Sequence, residues 1–113
     1  MAETLERGSA VLTTTSPVDV YTVPSSSGSE RALLVGLNVC NVSAAEADII
    51  LSVVNAAGAT QARLAYKDVL LSRSRRQFID GNGKLVLKSG ERLRATASVG
   101  NALEVLASVV LEA

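Results

Sequence analysis

The side chains able to do chemistry in this 113-residue chain are few, and their types exclude more than they allow. There is no histidine, so neither histidine acid–base catalysis nor a Ser-His-Asp triad can be assembled. Cys40 is the one cysteine, too little for a Cys/His zinc site or an intrachain disulfide. Set between Val39 and Asn41 in an apolar run, it reads as a small buried hydrophobe. Asp80-Gly81-Asn82-Gly83 carries the hard oxygens of half a calcium loop but lacks the bidentate Glu downstream. The same four residues form a strong hairpin-turn signal, because Asp-Gly and Asn-Gly tolerate positive φ. Two of the 11 acidic residues could reach glycosidase spacing by chance alone, which specifies nothing. Ser25-Ser26-Ser27-Gly28-Ser29 lacks the Lys and the glycine spacing of a phosphate cradle and reads as a flexible connection. No catalytic residue, cofactor site or metal ligand is assigned.

Charge leaves one candidate. Arg73-Ser74-Arg75-Arg76 is the densest cationic stretch, and with Arg7 it is the candidate contact for an acidic partner. A solvated loop is the competing reading. Arg92 and Arg94 extend this basic surface if the fold brings them near. Net charge is zero, which disfavours a nucleic-acid binder and permits self-association. Aromatics make up only 3% of the chain, and none interleaves with the arginines for base stacking. Arg outnumbers Lys eight to three, a bias suited to bidentate pairing at interfaces.

These residues sit on a rhythm of short apolar runs. Residues 1–8 are polar and read as an N-terminal arm; 9–113 read as a single β-sandwich domain. Ser9–Thr15 is an edge strand, and Val18–Val23 is closed by Pro24. Arg31–Val42 alternates, placing Leu33, Val35, Leu37 and Val39 on one face and Cys40 on the other. Ala47–Asn55 is a buried strand, and Gln61–Tyr66 is shorter, with Leu70-Leu71 as an extension. Ser72–Arg76 is a polar stretch ending at Gln77-Phe78-Ile79, and Lys84–Lys88 is a strand. In Glu91–Val99, Leu93, Ala95, Ala97 and Val99 point inward. Ala102–Glu112 has helix formers, but its valines and the Gly100-Asn101 turn favour a strand. The sum is an all-β chain of about eight strands, an antiparallel β-sandwich of jelly-roll type. No apolar run reaches the ~18 residues of a spanning helix, so no membrane partner is expected. The polar start carries no secretory signal, and a cytoplasmic site of synthesis is expected.

Several stretches carry a resemblance. Val20-Tyr21-Thr22-Val23-Pro24, then Leu34 to Ser43 with its Val39-Cys40-Asn41 end, and Leu87-Lys88-Ser89-Gly90-Glu91 leading into an alternating strand, resemble small all-β virion proteins of tailed bacteriophages. The resemblance covers residues 18–112. It implies a capsid decoration (cement) protein on the virion exterior, made in the host cytoplasm. Its partners would be the major capsid protein and further copies of itself, with a homotrimer as the assembly. A tail- or fibre-associated subunit, or a receptor- or carbohydrate-binding β-module, is the alternative. Tyr21, Tyr66 and Phe78 are the aromatics such a sugar site would have to use. No catalytic residue and no cofactor come with the resemblance, and no enzymatic activity is expected.

Overall fold

Alternation of aliphatic and polar residues builds nine antiparallel strands among the residues that the structure, a computed structural model, describes: 3–79 and 84–112. They are β1 (Glu3–Leu12), β2 (Val18–Thr22), β3 (Arg31–Asn41), β4 (Ala47–Val54), β5 (Thr60–Leu70), β6 (Arg75–Ile79), β7 (Leu85–Lys88), β8 (Arg92–Ala97) and β9 (Leu103–Glu112). No helix occurs among the described residues, so the helical alternative for 102–112 gives way to β9.

One sheet has the order β1-β9-β3-β6, with β7 also paired to β3. The other has the order β2-β8-β4-β5. Most successive strands change layer, so the chain wraps around its own core as a jelly roll does. The core lies between the sheets. Leu34, Leu37 and Val39 of β3 and Leu103, Val105 and Ala107 of β9 belong to one buried cluster with Ile49 and Leu51 of β4 and Leu93 and Ala95 of β8.

Four elements depart from the expected pattern. The first is β1, which starts at Glu3, so residues 3–8 of the expected arm are strand. Their backbone pairs with Ala107–Glu112 of β9, and this pairing needs no apolar alternation. Gly8 is where β1 crosses β2: a Cβ there would stand 2.7 Å from the Val20 carbonyl oxygen. Tyr21 then donates its hydroxyl to Glu6 at 2.6 Å, across the two layers. Burial, with the Glu6 hydrogen bond and charge, raises the Tyr21 pKa above its ordinary value. Gly8→Val is expected to destabilise by about 1–3 kcal/mol through this backbone clash. Chemical denaturation reads it, and an unchanged midpoint would show that β1 does not need the close approach.

The second departure is β5, which runs to Leu70 through three register shifts against β4. The third is β6, where Arg75 and Arg76 pair with Cys40 and Val39 and so belong to a strand. β6 and β7 both pair antiparallel with β3, at Leu37–Cys40 and Arg31–Leu34 respectively. They therefore run in the same direction and are not the two arms of one hairpin. Asp80-Gly81-Asn82-Gly83, the expected hairpin turn, lies outside the described residues. Two short strands in one lane explain nine strands where about eight were expected.

The fourth departure is a β-bulge in β3. Leu34 stands opposite Val109 and Gly36 opposite Ser108, leaving one extra residue on β3. The inward face is therefore Ala32 and Leu34, then Leu37, Val39 and Asn41. The expected single row of Leu33, Val35, Leu37 and Val39 is broken at this point. Cys40 lies between the inward-facing Val39 and Asn41 and so points outward, where no second layer covers the sheet. It is exposed, correcting the expectation of a buried thiol.

Candidate functional site

Consecutive residues of a strand point to opposite faces, which scatters the arginine cluster. Arg75 lies on β6 beside Cys40, on the outer face of the β1-β9-β3 sheet. Arg7 stands on the same face, opposite Ser108. Strand spacing and rise put these two Cα atoms roughly 20 Å apart. Arg76 reaches Asp68 of β5 at 3.7 Å and lies over the Phe78 ring at 5.3 Å. Arg73 occupies the exposed turn between β5 and β6, with φ of 54°. Arg92 and Arg94 do not join them. They belong to the other sheet, where Arg94 Nε and Arg92 Nη1 donate to the two oxygens of Asp19 at 2.9 and 3.1 Å. Burial pushes the Asp19 carboxyl up, but Arg94 and then Arg92 outweigh it and hold its pKa below the ordinary value. Arg92 also donates to the Asn55 carbonyl at 3.2 Å, tying β8 to the β4–β5 loop.

An open depression of about 410 Å³ lies on the outer face around Cys40, Asn38, Arg75 and Glu104, floored by β9. The described residues hold no group of three or more His, Cys, Asp or Glu side chains able to bind a metal ion. Of the three aromatics, Tyr21 is engaged by Glu6 and Phe78 by Arg76. Tyr66 is 56% exposed, with Arg63 and Lys67 over its ring at 5.2 and 5.4 Å.

Two polar hubs brace the loops, and the sequence singled out neither. Glu30, 3% exposed, is wrapped by the Ser-rich loop. Ser26 Oγ and the Ser27 amide donate to its Oε2 at 2.6 and 3.0 Å, and Ser89 Oγ donates to its Oε1 at 3.4 Å. The Ser26 hydroxyl and the backbone amides hold the Glu30 pKa down to about 2, against the weaker opposing effect of burial. A depressed carboxylate stabilises the fold fully above its unfolded pKa, near 4.5, and loses that contribution as pH falls toward about 2. The gap in urea midpoint between the native chain and Glu30→Gln is therefore expected to stay constant above pH 5 and to close from about 4.5 to about 2. A gap independent of pH would remove the ionised carboxylate from the account. The second hub is Asn41, which is fully buried and bonds to Ser43, Ala45 and Leu70.

No protein-family model matches this chain, and no curated protein sequence matches it. Solved structures do. The fold is similar to a chain of the T13 IBDV (infectious bursal disease virus) particle, with TM-score 0.58 and 9% identity over 96% of this chain. It covers only 30% of that viral chain. It is also similar to a chain of the acid-stable capsid of Helicobacter pylori bacteriophage KHP30, with TM-score 0.56 and 12% identity. That match spans 99% of this chain and 89% of the other. A chain of the disulfide-linked Bacillus endospore appendages matches with TM-score 0.50 and 8% identity, over 98% of this chain and 89% of that one. At such identities the likeness establishes the fold: a two-sheet β-sandwich of the kind found in viral capsid structures.

Proposed function

We propose that this protein is a structural virion subunit that binds the outside of a capsid shell as a decoration protein. The observation that carries this reading is the match to a chain of the KHP30 capsid structure along nearly the whole of both chains. Contacts repeated over many shell subunits let such a protein bind tightly without any new chemistry. Arg73, exposed in its turn, and Arg75 are the cations best placed for a partner, while Arg76 is already engaged by Asp68. Three copies per assembly is the arrangement that the sequence resemblance implies.

Sedimentation of the purified chain with capsid particles encoded alongside it tests the reading. Co-sedimentation at a fixed ratio to the shell protein is expected, weakened when Arg73 and Arg75 are both changed to Ser. Protein that stays in the supernatant overturns it. Tyr66 favours a second reading, a carbohydrate- or receptor-binding module, because an exposed ring flanked by cations is a surface on which a sugar can stack. Glycan-array hits abolished by Tyr66→Ala would establish that reading instead.

A further inference from the structure

The two outer faces of the sandwich are unlike. The β2-β8-β4 face carries Asp19, Arg92, Arg94 and Thr96 around the half-buried Ile50, a mostly polar surface. The β1-β9-β3 face does not alternate in this way. Residues paired directly across antiparallel strands share a face. One cross-strand row there is Leu5–Val110–Leu33–Val86, apolar from edge to edge. Leu5 is 84% exposed and Val86 55%. Val11 and Leu106 are also exposed on this face. An apolar stripe of this length on a free sheet face marks an interaction surface.

The charges around the stripe identify the partner. The row beside it is Glu3–Glu112–Arg31–Lys88. At the far end of the face, Glu104 lies on β9 and Arg75 on β6. The acids Glu3, Glu112 and Glu104 thus stand on the β1/β9 half, and the bases Arg31, Lys88 and Arg75 on the β3/β6/β7 half. Among the described residues of these strands, Arg7 on β1 is the single exception. A two-fold axis parallel to the strands lays the acidic half of one copy on the basic half of another. It sets Glu3 over Lys88, Glu112 over Arg31, and the apolar row on itself. A two-fold axis across the strands would put acid on acid and base on base, which disfavours that arrangement.

We infer that this face pairs with the same face of a second copy of the chain, about a two-fold axis running along the strands. The contact is self-complementary, as an isologous interface must be. It does not rest on the virion role. Strand rise and spacing give the patch on the order of 500 Å² per copy, the low end for a specific interface. Pairing is therefore weak and depends on concentration.

Charge exchange tests it. Arg31→Glu with Lys88→Glu makes the charged row wholly acidic, and Glu3→Lys with Glu112→Lys makes it wholly basic. The Arg31–Glu112 bridge, at 3.3 Å, is exposed, so neither variant should lose its fold. Light-scattering mass is expected to show the native chain moving from monomer to dimer with concentration. Each variant alone stays monomeric, and an equimolar mixture forms the dimer again. Cys40, the only thiol in the chain, lies on this face close to the axis. Sheets stacked roughly 10 Å apart bring the two thiols within reach of a short bis-maleimide. Cross-linked dimer is expected from the native chain and from the mixture, and not from either variant alone. A native chain that is monomeric throughout, a trimer indifferent to the charge changes, or a mixture that fails to recover the dimer overturns the pairing.

Discussion

An Asn41→Ala chain is expected to unfold about 2–4 kcal/mol more easily than the native one. Asn41 ends β3 and is 0% exposed, yet its amide is fully employed. Nδ2 donates to the Ala45 carbonyl at 2.9 Å and to the Leu70 carbonyl at 3.0 Å. Oδ1 accepts from the Ser43 amide at 2.9 Å and the Ser43 hydroxyl at 2.7 Å. One side chain therefore joins the end of β3, the loop before β4 and the end of β5. The Leu70 bond is buried, so alanine strands a carbonyl with no water to replace the lost donor, the expensive case. Asn41→Asp should be worse: it keeps the acceptor but loses both donors and sets a negative charge against two carbonyl oxygens. Ser43→Ala removes contacts nearer the surface and should lose about 1 kcal/mol or less. Urea unfolding separates the three. For a chain this size the Asn41→Ala midpoint should fall by roughly 2 M with an unchanged slope. A loss no greater than that of Ser43→Ala would show that the Leu70 link is not what holds this corner.

Asn41 also shows where reading a sequence stops. Its bond to the Ser43 amide is an ordinary two-residue turn contact and could be anticipated from the residue type. Its bond to Leu70 spans 29 residues and could not. The strands show the same division. In β9, Leu103, Val105, Ala107, Val109 and Leu111 are all buried, as their alternation requires, because β9 pairs with β1 without a register shift. β8 follows its pattern to Ala97 and ends there, leaving Val99 exposed. The first half of β1, before the edge strand expected from Ser9, and all of β6 escape the pattern because edge strands are held by backbone hydrogen bonds, which leave little mark on side-chain type. The Arg73–Arg76 run misleads for a further reason. Adjacency in sequence is separation in a strand, so Arg75 and Arg76 serve different surfaces. No motif marks Glu30 between the Ser-rich loop and the strand that begins at Arg31; only the folded chain shows three serines closing on its carboxylate.

The bulge in β3 permits the sharpest test, because a regular strand and a bulged strand make opposite statements about one pair of residues. In an unbroken strand, Leu34 and Leu37 lie on opposite faces, since they are an odd number of residues apart. In this structure both are fully buried in the central cluster, while Leu33 faces outward beside Val110 and Val86. Leu34→Ala and Leu37→Ala should therefore each destabilise by about 2–5 kcal/mol, through lost burial and the cavity left behind. Leu33→Ala should lose less than about 1 kcal/mol in the monomer, as a partly exposed side chain does. The double variant Leu34→Ala/Leu37→Ala would then exceed the whole stability of many domains of this size and is expected to be unfolded by circular dichroism. If Leu33 and Leu37 prove costly and Leu34 does not, strict alternation holds. Arg31 and Leu33 would then turn inward, and the outer face would lose one base from its charged row and one residue from its apolar row.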